Sequence, residues 1–120
     1  MSDDVSRDAI EAVVQDFVVA MLAADESLLR RCFHADCRII GHFHDELEWL
    51  TLDDFIASLT AEGPQQEEPY CDIQQLDVSG DAASVKLIDM YAGMRFTDYL
   101  ALLRHDGRWQ IVNKLYYYHA

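Results

Sequence analysis

The chain changes its period after residue 70, and this change restricts its fold more than any other feature. Before that point apolar residues recur at helical spacing; after it they alternate. Ile10, Val13, Val14, Phe17, Val18, Met21 and Leu22 share one face of a long helix, with Arg7, Asp8, Glu11 and Gln15 around the rest of the wheel. Asp25 is placed to cap a short second helix, Glu26 to Phe33. Residues 37–43, Cys-Arg-Ile-Ile-Gly-His-Phe, read as a strand. Thr51-Leu52-Asp53-Asp54 has the form of a capping box, in which Thr51 caps a third helix and Asp54 reaches back. Leu50 can staple onto Phe55, and the helix runs to Ala61 before Gly63-Pro64 stops it.

Beyond the change, Leu76-Asp77-Val78 leads into a turn at Ser79-Gly80-Asp81, and Ser84 to Tyr91 is extended. Residues 94–104 form a further strand, and Asp106-Gly107 turns the chain into Trp109 to Tyr118. The predicted order is two helices, a strand, a helix and four antiparallel strands. That order implies an α+β fold with its helices packed on one face of a curved, mainly antiparallel sheet. A length of 120 residues without a linker-like tract suits one domain, residues 1–120.

The net charge of −13 argues against two classes of partner. Nucleic acid and anionic membrane surfaces both need clustered Lys and Arg. No apolar run approaches the ~20 residues that cross a bilayer, and the acidic start Met-Ser-Asp-Asp lacks the basic region of a secretory signal. Cys32, Cys37 and Cys71 are odd in number, so reduced thiols in a cytoplasm are the expectation.

Two segments carry a resemblance. Phe33-His34-Ala35-Asp36-Cys37 resembles the helix-to-strand junction of the nuclear transport factor 2-like superfamily, and Asp106-Gly107-Arg108-Trp109-Gln110-Ile111-Val112 resembles its final hairpin. Gly41-His42-Phe43, Glu48-Trp49-Leu50, Ala92 to Leu100 and Asp106 to Lys114 are similar to a bacterial branch labelled putative lumazine-binding. The resemblance implies a cone-shaped fold of three helices on a bent sheet, with an apolar cavity between the layers. It also implies a homodimer formed through the outer sheet face. Ketosteroid isomerase, scytalone dehydratase, limonene epoxide hydrolase, polyketide cyclases and non-catalytic association domains share that fold, so the resemblance implies no reaction.

Asp89 is the leading candidate for chemistry. Val85, Leu87, Asp89 and Tyr91 alternate on one face of a strand; if Val85 and Leu87 face the cavity, so does Asp89. An acid there has a raised pKa and suits general acid–base work, whereas an acid at a wet strand end would pair with Arg95. Trp49, Arg95, Tyr99 and Asn113 complete an expected ligand-binding set, and Tyr91 or Asn113 would partner a developing oxyanion. Arg95 and Asp98 are three apart, which puts them on opposite faces and weakens a likeness to the epoxide hydrolases. The base of ketosteroid isomerases would align near Gly41, where no acid stands; the adjacent His42 is the replacement candidate.

Cys32, His34, Cys37, His42 and His44 invite a metal site, but their spacing matches no usual zinc motif and none is expected. Without a Gly-rich phosphate loop, no cofactor is expected either. The final strand divides into two faces. Trp109, Ile111, Asn113, Leu115 and Tyr117 are assigned to the cavity. Gln110, Val112, Lys114, Tyr116 and Tyr118 are assigned to the outer face, where Tyr116 and Tyr118, with Ile88, Met90 and Val112, are available to a second subunit. A bulge near Asn113 would exchange the two sets beyond it.

Two functions follow. One is a binding domain for a small apolar or cyclic molecule, with proton transfer or water addition as its chemistry and Asp89 as the base. The other is a non-catalytic homodimeric association module.

Overall fold

The computed structural model describes residues 3–120, which form three helices and six strands. Helix α1 (Asp3–Ala23) is followed by α2 (Glu26–Cys32), β1 (Phe33–Phe43) and β2 (Glu46–Thr51). Helix α3 (Leu52–Glu62) then precedes β3 (Cys71–Ser79), β4 (Ala82–Tyr91), β5 (Met94–His105) and β6 (Arg108–His119). Both expected caps form. Asp25 Oδ1 accepts from the Leu28 amide at 3.1 Å, and Thr51 Oγ1 accepts from the Asp54 amide at 3.1 Å. Gly63, at φ 79°, ends α3 in a conformation that glycine adopts freely.

The strands lie in one sheet in the order β2-β1-β6-β5-β4-β3, antiparallel throughout except where β1 runs parallel to β6. The sequence reading missed β2 and began β1 too late. Strand β2 escapes notice because two of its three apolar residues, Leu47 and Trp49, face solvent and the inward Glu48 is charged. Alternation with the wrong polarity carries no signal of burial. His44 and Asp45, both at positive φ, make the tight turn that pairs β2 with β1.

The core lies between the helices and the inner sheet face. Ile10, Val14, Phe17 and Val18 of α1 are fully buried, and Phe17 meets Phe33 edge-on at 5.3 Å. Burial of each such side chain contributes roughly 1.5–3 kcal/mol.

One residue decides which side chains of β6 face this core. Ala101 pairs with Asn113 and Leu102 with Ile111, so Val112 is an extra residue without an opposite number. This is a β-bulge, and it shifts the alternation by one. Trp109 and Ile111 point inward as expected; beyond the bulge, Lys114 and Tyr116 are the buried residues. Asn113, Leu115 and Tyr117 turn to the outer face instead. The expected dimer-face tyrosines, Tyr116 and Tyr118, therefore pack within the molecule, where Tyr118 sits 5.0 Å from the ring of Phe43.

Candidate functional site

A cavity of about 340 Å³ opens between the inner sheet face and helices α1 and α3. Its walls are largely apolar, built from Met21, Ile39, Phe43, Leu50, Phe55 and Phe96. Polar groups enter it from three strands: Glu48 on β2, Asp89 and Tyr91 on β4, and Lys114 and Tyr116 on β6. The sheet register explains the deepest of them. Leu87 pairs with Asp98 and Asp98 with Tyr116, so Asp89, Asp98 and Lys114 lie diagonally across three neighbouring strands.

Their exposures are 1% for Asp89, 0% for Asp98 and 5% for Lys114. Lys114 Nζ is 3.4 Å from Asp98 Oδ1, an ion-pair contact that falls short of a well-formed hydrogen bond. Three rings surround the ammonium, with centroids at 4.8 Å (Tyr116), 5.6 Å (Phe55) and 5.9 Å (Phe17). These distances permit cation–π attraction. Burial pushes the Asp89 carboxyl well above the ordinary carboxylate range; the adjacent charge and hydrogen bond of Asp98 push it further, while Lys114 opposes them. The raised pKa favours the protonated form of Asp89, beside the Asp98 carboxylate that Lys114 faces. Asp89 Oδ2 has no hydrogen-bond partner among the described residues, nor has the hydroxyl of Tyr91. Buried polar atoms left this way are costly, and a ligand in the cavity would satisfy them.

A second polar pair stands across the cavity. The Tyr116 hydroxyl donates to Glu48 Oε1 at 2.6 Å, and burial followed by this carboxylate raises the phenol pKa. The ring lies flat over Gly41, where an added Cβ would come within 2.6 Å of it. Only glycine leaves room for that ring.

Of the residues expected to form the site, Asp89 and Tyr91 line the cavity. The other five do not. His42 is exposed on the outer sheet face, because Gly41 and Phe43 take the inward positions of β1. Trp49 is 63% exposed and Tyr99 46%, each one step along its strand from an inward acid. Arg95 is exposed while Asp98 is buried, which confirms that the two lie on opposite faces. Asn113 reaches the outer face through the Val112 bulge. Sequence reasoning overlooked Glu48, Lys114 and Tyr116. A lysine interrupting an apolar strand was the available signal, and the bulge hid which way it pointed. Among the described residues no group of three or more His, Cys, Asp or Glu could hold a metal.

Comparison with known proteins supports the fold. A family model described as putative lumazine-binding matches residues 5–117. The chain is similar to an NTF2-like protein of unknown function from Silicibacter pomeroyi DSS-3, at 34% identity and TM-score 0.95, with 99% of this chain and 100% of that one covered. It is also similar to an NTF2-like protein of unknown function from Shewanella baltica OS155, at 25% identity and TM-score 0.91, covering 100% and 98%. Among curated proteins it is similar to Aldolase FrzH of Cladobotryum sp., 25% identical over 115 residues, covering 92% of this chain and 89% of that protein. The nuclear transport factor 2-like fold expected from the sequence is thus the fold observed.

Proposed function

This chain belongs to the putative lumazine-binding family, and from that membership we propose that its cavity binds a small cyclic carbonyl compound and moves a proton at it. The observation that carries the reading is the buried Asp89, protonated beside Asp98 and Lys114, with an unpartnered oxygen in a residue that lines the cavity. A neutral carboxylic acid in an apolar site donates a strong hydrogen bond to an oxygen that gains charge.

The mechanism differs in one respect from the sequence expectation, which made Asp89 the base. Holding its proton, Asp89 acts first as the acid. It hydrogen-bonds the carbonyl oxygen, Lys114 stabilises the negative charge that develops there, and the Tyr91 hydroxyl is a second donor. The carbon next to the carbonyl is thereby made more acidic, and it loses its proton to solvent water admitted through the open cavity. Asp98 acts through Asp89, because its adjacent charge keeps Asp89 in the protonated form. One name agrees with this chemistry, since an aldolase works next to a carbonyl group, and the family description agrees with a flat cyclic dicarbonyl ligand.

The test is hydrogen exchange at the ring carbons of methylcyclohexanone in deuterium oxide, followed by NMR. The protein should accelerate exchange by roughly 10²-fold, and Asp89→Asn should remove the acceleration. Exchange at the buffer rate with the unaltered protein would refute the proposal.

A second reading is the non-catalytic association module, favoured by the apolar outer sheet face. Leu47, Trp49 and Tyr117 there are 62%, 63% and 61% exposed. We propose that this face forms a homodimer whether or not the cavity is catalytic. The open cavity and the inward turn of Tyr116 favour the ligand-binding reading over a scaffold alone. The three free cysteines, two of them buried, support a reducing cytoplasm as the location.

A further inference from the structure

The charges around the cavity are sorted by depth. Lys114 is the one basic residue among those that line it, and it is buried, paired with Asp98 and enclosed by rings. The acids nearer to solvent have no such neutral setting. Glu48 is half-buried and held through one oxygen by Tyr116, while Glu62 is exposed at the end of α3. Glu67 lies close by, accepting from the Gly93 amide at 3.2 Å, and the charges of Glu62 and Glu67 both act on Tyr91. The mouth is therefore negative, and the cavity walls include the rings of Phe43 and Tyr91.

A neutral or anionic ligand would bring nothing to offset Glu48 and Glu62. An ammonium would meet an acidic rim in a cavity with aromatic walls, the combination that recognises organic cations. The chain's net charge of −13 draws cations toward it over longer distances. An acidic rim alone would say little; a second and independent observation is the orphaned Oδ2 of Asp89, only 1% exposed, in a residue lining the same cavity. It requires a polar ligand group deep inside, while the rim requires a cation outside.

Building on the reading of the cavity as a carbonyl site, we infer that the ligand is an amino-carbonyl compound, bound with its ammonium toward the acidic rim to which Glu48 and Glu62 contribute and its carbonyl inward at Asp89 and Lys114. Such a ligand is oriented by its own polarity, because reversing it would set ammonium against ammonium at Lys114.

Two ring ketones of equal size test this: N-methylpiperidone, cationic at neutral pH, and methylcyclohexanone, neutral, each with its carbonyl opposite the methyl substituent. NMR titration of the intact protein at low salt should show the piperidone bound roughly tenfold more tightly. The ratio of the two affinities should fall toward one at high salt and in the Glu48→Gln/Glu62→Gln variant. Equal affinities, or a preference for the neutral ketone, would overturn the amine assignment and leave the carbonyl reading standing. Binding of neither ketone would overturn both.

Discussion

Lys114 Nζ faces Asp98 Oδ1 at 3.4 Å, with side-chain exposures of 6% and 0%. Neither charge can be removed alone without leaving the other buried and unmatched. Lys114→Met should therefore destabilise the fold by about 3–5 kcal/mol. The double variant Asp98→Asn/Lys114→Met should recover much of that loss, since it removes both charges from the interior. Urea denaturation of the four proteins in the cycle measures the coupling. Strictly additive losses would show that the two residues do not depend on each other.

Asp89 should make stability fall as pH rises. Its pKa is raised on folding, first by burial and then by Asp98, so above the unfolded value of 3.8 the native state holds a proton that the unfolded chain has released. Stability then declines by about 1.4 kcal/mol per pH unit until the native pKa is passed, and the loss is constant beyond it. Asp89→Asn cannot titrate. It should lack this slope and be more stable than the unaltered protein at neutral pH. Parallel slopes for the two proteins in urea melts across the acid range would contradict the assignment.

Much of this fold was legible because local signals agreed with it: the face of α1, the caps at Asp25 and Thr51, and the Asp106-Gly107 turn all formed. The site was legible only as far as β4, where Val85, Leu87 and Asp89 alternate without interruption. It failed on β6 because one inserted residue, Val112, reverses every side chain beyond it, and nothing about a valine in an apolar run marks it as a bulge. It failed on β2 for a related reason. Glu48 reads as a surface acid until Gly41 and Tyr116 show what it faces, and that contact joins residues 68 apart in sequence.

Gly41 tests the packing that these distant residues create. A methyl group at this position would meet Tyr116 Cε2 at 2.6 Å, and the ring cannot retreat without leaving Glu48. Gly41→Ala should cost about 1–3 kcal/mol through overpacking. Adding Tyr116→Leu should make the alanine far better tolerated, because the ring it collides with is gone. Thermal melts of the two single variants and the double variant decide the matter; an alanine equally harmful in both backgrounds would point to strain elsewhere.

The outer face should join two copies of the chain. Its apolar residues run in rows set by the register: Trp49 beside Ile40, Ile40 beside Leu115 and Leu115 beside Tyr99, with Leu47, His42, Tyr117 and Thr97 in the next row. A stable dimer buries roughly 800 Å² per partner, and a patch of this kind at its centre would supply the apolar contact. Two copies each at −13 repel, so added salt should strengthen the association by screening that repulsion. Leu115→Glu places a charge at the centre of the rows, 46% exposed in the single chain and so harmless to its fold. Light scattering should give a dimer for the unaltered protein at micromolar concentration and a monomer with unchanged circular dichroism for the variant. A monomer in both cases, at low and high salt alike, would refute the interface.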